Sequence, residues 1–334
     1  MTKERYTNLD GLRAYACMGI ILMHVNANGN FRLKGYLFER IIPSFTDFTY
    51  LFMMISAFSL CCGYYDRFKS RSIDIEQFYK KRYQRIWPFF ALFCTLELAV
   101  NFSLNTIYEW FADLTLAFGF IPNHNIEVVG VGWFLGTIFV FYMIFPFFVF
   151  LISNKMRAWM SMAIILILHI LCSVRFTEAA RRENIIFSGI FFLGGGLLYL
   201  YRSACKRIKA PAVILLIVSI ISYYALYGSE YSLVIAFAAM VILCICCNSK
   251  ISDILFRNRV ILFIASLSME IYICHMFVYR TIEKFNINYL FGSSMANYLF
   301  DVIITISGAL ALAYMTKMVL FTLGKALVSR NSLF

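Results

Sequence analysis

Charge is what this chain has least of: Asp, Glu, Lys and Arg together supply 14% of 334 residues, against 61% apolar ones. A soluble globular domain carries about a quarter charged residues, so that class is excluded. Several apolar runs reach the roughly twenty residues that a bilayer crossing needs. The strand-period alternation of a membrane barrel is absent, and lipid tolerates only helices or closed barrels. The expected fold class is therefore all-α, a polytopic membrane helix bundle. Proline is scarce too, at five residues, which predicts mostly uninterrupted helices. No internal repeat and no low-complexity linker divides the chain, so residues 1–334 read as a single membrane-embedded domain with no appended soluble catalytic domain. The ten cysteines sit mostly in or beside apolar runs, none in an outer loop, and the Cys244-x-Cys246-Cys247 cluster reads as small apolar side chains packing together. Neither a structural disulfide nor a bound metal is expected. The first apolar run is no signal peptide, because it carries Arg13 and His24 and no small-residue cleavage site follows at Asn26–Asn30.

Ten spans are expected, at about 12–28, 44–64, 86–104, 132–152, 158–174, 185–201, 211–227, 231–248, 260–280 and 297–324. A further apolar piece, 110–121, contains Asp113 and is too short to cross, which makes it an interfacial or re-entrant helix. Orientation follows from Lys and Arg. With the N-terminus inside, the inner segments hold 20 of the 30 basic residues and the outer ones 8, among them Arg175, Arg181 and Arg182. The other two, Arg13 and Lys317, fall within spans. Both termini are thus expected in the cytoplasm of a multi-pass protein of the cell membrane. The net charge of +12 becomes a property of the inner face, suited to anionic lipid and not to nucleic acid, which would want a basic soluble domain.

What chemistry remains is carried by a few polar residues inside the spans. Arg13 and His24 are eleven residues apart, about three helical turns or roughly 16 Å, and project from one face of the first span. Groups so expensive to bury usually face a cavity or a partner, although a snorkelling Arg and a hydrogen-bonded core His would fit as well. Arg82 and Arg85 stand at i, i+3 just before Trp87 and Pro88, as a two-pronged cationic grip or as a positive-inside cluster. Ser56 and Ala57 are small enough to let two helices approach closely. Trp133 opens a Trp-Phe-Leu run that, alone, is an interfacial aromatic girdle. The segment from Ser268 to His275 places Glu270, Tyr272 and His275 within a span, with Glu270 and His275 about 140° apart around the helix. Glu97 is another intramembrane carboxylate and could neutralise a buried Arg.

In this order, these elements make the chain resemble the acyltransferase-3 family of integral membrane acyltransferases, over essentially its full length. The family's Arg-x10-His falls on Arg13 and His24, introduced by Leu9-Asp10-Gly11-Leu12-Arg13. Its Arg-x-x-Arg followed by an aromatic and Pro falls on Arg82, Arg85, Trp87 and Pro88. Its Phe-Phe-x-x-Ser-Gly-Phe element is similar to Phe52–Phe58, its Trp-Phe-Leu to Trp133–Leu135, and its late Ser-Tyr-x-x-Tyr-Leu-x-His to Ser268–His275. Several positions depart from that pattern. Ala57 stands for the usual Gly and Met269 for the late Tyr, with Glu270 unusual beside it. Tyr50 stands where many members have an Asp, with Asp47 three residues out of register. Ile138 stands where one subgroup has a Glu.

The resemblance implies O-acylation of a glycan, most often acetylation. The donor would be cytoplasmic acetyl-CoA, a substrate, with no permanently bound cofactor. The acceptor would be a sugar hydroxyl on surface polysaccharide, lipopolysaccharide or a lipid-linked glycan. A sugar hydroxyl needs a general base, and His24 would supply it. Arg13 would steer the donor or stabilise an oxyanion, and Arg82 and Arg85 would hold CoA phosphates. His275, Glu270, Tyr272, Ser56 and Trp133 are accessory candidates. Two rivals fit the same ten-span outline: a transporter or flippase for lipid-linked sugar, and a polysaccharide-export component without chemistry of its own.

Overall fold

The computed structural model describes residues 5–116, 129–175, 184–226 and 228–331, the last without the side chains of 323–331. Every described regular element is helical. The chain opens with α1 (Thr7–Asn28), passes a short turn of π-helix and α2 (Ile42–Ser44), and continues into α3 (Phe48–Lys69), α4 (Ile75–Val100) and α5 (Leu104–Thr115). Next come α6 (Trp133–Met143), α7 (Phe145–Leu151), α8 (Lys155–Arg175), α9 (Ile185–Leu200), α10 (Arg202–Cys205), α11 (Lys209–Ala225) and α12 (Glu230–Cys246). The last quarter holds α13 (Lys250–Phe256), α14 (Arg259–Ser266), α15 (Ser268–Lys284) and α16 (Ser294–Asn331). Side chains mark where many of these begin. Asp74, Ser103, Asn184, Ser249 and Asn258 each accept a hydrogen bond from a first-turn N–H of the helix that follows, satisfying donors that the helix itself cannot.

Among the described residues, three helical stretches are long and apolar enough to cross a membrane, Leu37–Lys69, Lys155–Arg175 and Ser294–Thr322, or five if two bent pairs each count as one span, so the ten expected spans are not all found. α9, α11 and α12 are apolar but shorter. The expected single spans at 132–152 and 260–280 are in fact broken. α6 and α7 meet at 62°, α14 and α15 at 74°. The first break has a simple cause: Pro146 sits in the first turn of α7, where it cannot donate to the preceding turn. The second needs no proline; Ser268 Oγ donates instead to the Ala265 carbonyl at 3.0 Å, and the Leu267 N–H closes a short turn on Ile264. The piece expected at 110–121 is α5 as far as Thr115, folded back along α4, with Trp87 Nε1 donating to the Leu114 carbonyl and Trp110 Nε1 to Thr95 Oγ1. Residues 117–121 lie outside the described residues, as do Lys3, Arg181, Arg182 and the side chains of Lys325 and Arg330.

α1 is the hub. It packs against α3, α12, α13, α14, α15 and α16. Gly11 is needed there, since a Cβ would collide with the backbone of Phe256. A second close seam joins α3 to α9, where a Cβ on Gly195 would strike the Met54 carbonyl and the Ala57 methyl. Hydrogen bonds define the two ends of the bundle. Asn8, at the start of α1, donates to the carbonyls of Cys244 and Cys247 at the end of α12. At the other end Arg280 reaches Asn28, and the Asn30 N–H donates to Tyr289. All ten cysteines are free.

Candidate active site

Five separate stretches of sequence line one cavity of about 270 Å³. α1 contributes Arg13, α3 contributes Phe52, Ser56 and Ser59, and α4 contributes Arg82 and Arg85. α6 adds Phe134, Leu135 and Ile138, while the first turns of α15 add Ser268, Met269 and Tyr272. The bend before α15 is what turns those residues into the cavity wall. A neighbouring cavity of about 570 Å³ shares Arg13, Ser59 and Arg85 and extends past Arg5, Tyr6 and Asp10 toward the end where α1 begins.

The three arginines are held in different ways. Arg13 donates to Asp10 Oδ1 at 2.8 Å and to Ser59 Oγ at 2.7 Å, so one turn of its own helix and one serine of α3 fix its fork. Asp10 also pairs with Arg5 at 3.1 Å. Arg82 donates to the Tyr64 hydroxyl at 3.0 Å and lies over the rings of Tyr64, Phe78 and Tyr142. Arg85 lines both cavities and makes no hydrogen bond or ion pair among the described residues.

His24 lies about three turns along α1 from Arg13, beside His275 of α15, with ring centroids 5.2 Å apart. α15 therefore runs from the arginine cavity to the histidine pair. Tyr272 spans the interval, in the cavity wall at one side and 5.8 Å from the His275 ring at the other, its hydroxyl donating to the Val131 carbonyl at 3.0 Å. This geometry is a cationic entrance, an interior bend and a pair of imidazoles, in the same order along α1 and α15.

The family profile described as an acyltransferase domain matches residues 6–317, nearly the whole chain. The chain belongs to the acyltransferase-3 family. No curated protein and no solved structure matches it. It is a membrane acyltransferase, and the elements by which it resembles the family all reach the arginine cavity.

Not every candidate in this acyltransferase converges there. Glu270 is turned away and pairs with Lys317 at 2.8 Å, which neutralises the lone cation of α16's membrane stretch. Trp133 stacks edge-on against Phe134, just outside the lining. Glu97 accepts from Asn101 at the end of α4 at 3.3 Å and, among the described residues, joins no buried Arg. Of the positions departing from the family pattern, Ile138 and Met269 form apolar cavity wall, and Ala57 makes the seam with Gly195. Tyr50 and Asp47 belong to a different cavity at the opposite end, where Asp47 accepts from the Tyr223 hydroxyl at 2.7 Å. Ser59, Tyr64 and Asp301 escaped the sequence analysis. The spacing Ser56, Ser59, Gly63 along one face of α3 was a legible signal for the first. Asp301 was legible as the one carboxylate in the span expected at 297–324.

Proposed function

We propose that this acyltransferase moves an acetyl group from cytoplasmic acetyl-CoA to a sugar hydroxyl of a surface polysaccharide, lipopolysaccharide or lipid-linked glycan. The supporting observation is the placement of the groups, a cavity edged by Arg85, Arg82 and Arg13 and, further along α1 and α15, the paired rings of His24 and His275. The wider cavity opens at the end where α1 begins, and the excess of Lys and Arg in the segments at that end supports reading it as the cytoplasmic one. Arg82 and Arg85 bind CoA phosphates there, with guanidinium forks suited to phosphate oxygens. Arg13, its position fixed by Asp10 and Ser59, steers the donor toward the histidine pair. His24 takes the proton of the acceptor hydroxyl as that oxygen attacks the acyl carbon. The C–S bond breaks and CoA leaves as a thiolate toward the cytoplasm.

The experiment is direct. Purified protein is incubated with labelled acetyl-CoA and a panel of envelope glycans, and label is followed onto the glycan. Transfer that disappears in His24→Ala supports the assignment. Absence of CoA binding by the wild type would overturn it and favour transport of a lipid-linked sugar.

A further inference from the structure

At the histidine pair and just beyond it, four buried side chains carry polar atoms that no group among the described residues satisfies. His275 Nδ1 lies 2.7 Å from the Tyr272 carbonyl and 3.3 Å from that of Ile271. Carbonyls only accept, so Nδ1 carries the hydrogen and Nε2 presents a lone pair. That Nε2 has no partner, and neither have the Tyr279 hydroxyl, Thr305 Oγ1 or either carboxyl oxygen of Asp301. All four residues are at most 1% exposed. A polar atom buried without a partner is costly, and a carboxyl group inside a membrane bundle more so. An Asp kept only for packing would be expected to have at least one of its oxygens paired.

The four lie in a row. His275 and Tyr279 are one turn apart on α15, Asp301 and Thr305 one turn apart on α16. The two helices pack together, with Cys274 donating to the Ala309 carbonyl at 3.5 Å and Val278 against Gly308, and Tyr279 falls within electrostatic range of Asp301. From His275 the row leads toward the end of the bundle where α1 finishes and α16 begins, away from the arginines.

We propose that His275, Tyr279, Thr305 and Asp301, bridged by water, form a proton relay that carries the proton released by acyl transfer from the histidine pair to Asp301 and on to the outer face. The relay rests on the acyl-transfer assignment above. The hydroxyl O–H bond breaks and its proton passes from His24 to the lone pair of His275 Nε2, then along the bridged hydroxyls to Asp301. The C–O bond forms as the C–S bond breaks, and the sulfur keeps the electron pair and takes a proton from cytoplasmic water. One proton leaves outside for each one taken up inside. Bridging water needs two to four polar partners, which the five unpaired atoms provide. Asp301 touches neither donor nor acceptor; it acts through His275.

The test uses purified full-length protein, labelled acetyl-CoA and the glycan that accepts label from the wild type. Asp301→Asn keeps size and hydrogen bonding but cannot take a proton. Because a general acid–base step is worth roughly 10²–10⁴ in rate, its kcat should fall at least about tenfold while the acetyl-CoA KM stays within about twofold. Asp301→Glu should recover most of the rate, and the H₂O/D₂O rate ratio should rise in Asp301→Asn. Thr305→Val, similar in shape, should show the same signature more weakly and serves if Asp301→Asn fails to fold. Wild-type kcat in these variants overturns the relay alone. So does a loss that Asp301→Glu does not relieve and that brings an equal loss of CoA affinity, the mark of a packing role. A wild type that labels no glycan overturns the acyl-transfer assignment, and the relay with it.

Discussion

Removing Arg85 should cost donor affinity and almost nothing else. Its guanidinium lines both cavities and makes no hydrogen bond or ion pair among the described residues. Arg85→Ala therefore deletes no contact that holds the fold. A charge-assisted hydrogen bond to phosphate is worth about 1.5–3 kcal/mol, which is roughly a ten- to hundredfold rise in the CoA dissociation constant. Arg82→Ala makes the control. It removes a hydrogen bond to Tyr64 and the faces of Tyr64, Phe78 and Tyr142, each cation–π contact worth roughly 0.5–1 kcal/mol where exposed. Arg82→Ala should thus lower thermal stability as well as affinity, whereas Arg85→Ala should leave the melting temperature within a degree or two of wild type. Arg85→Lys should regain only part of the affinity, since an ammonium lacks the fork. Isothermal titration of CoA into detergent-purified wild type and variants, beside thermal melts, reads both quantities. Unchanged CoA affinity in Arg85→Ala, or full rescue by lysine, would refute this account and leave the pair as a topology-setting charge cluster.

Other outcomes follow from the same geometry. His24→Ala should insert and fold normally yet lose roughly 10²–10⁴ in transfer rate; retention of more than about half the activity in the labelled-acetyl assay would remove His24 from the chemistry. Asp10→Asn should free the Arg13 fork that it holds at 2.8 Å and lower kcat more than CoA affinity, a split that steady-state kinetics reads. Gly195→Val should wedge the α3–α9 seam against Met54 and Ala57, cutting the yield of folded protein by size-exclusion chromatography, and normal yield would show that the seam yields. Single cysteines placed in intact cells at Ser70 and Asn286 should be protected from and labelled by an impermeant reagent, respectively; the reverse pattern inverts the orientation.

Composition alone determined the class. A chain with so little charge and so many apolar runs has to satisfy its backbone internally, and helices do that without long-range partners. The ordered local elements around Arg13, Arg82, Ser56, Trp133 and Ser268 were legible for the same reason: each is a short stretch whose identity survives without knowledge of its neighbours. The family match over residues 6–317 bears out that legibility. Tertiary structure decided which of these side chains meet. Spacing put Arg13 and His24 on one face of α1, but only the bend at Leu267 brings Ser268 and Tyr272 to the arginines and sets His275 beside His24. Such a break carries no proline signal, because it depends on Ser268 bonding backward and on α1 filling the angle. The fates of Glu270 and Asp301 diverge for the same reason. Both are carboxyl groups in apolar helices, indistinguishable by pattern, yet one pairs with Lys317 and the other has neither oxygen hydrogen-bonded among the described residues. Pairing is a property of two helices at once, and a periodicity describes only one.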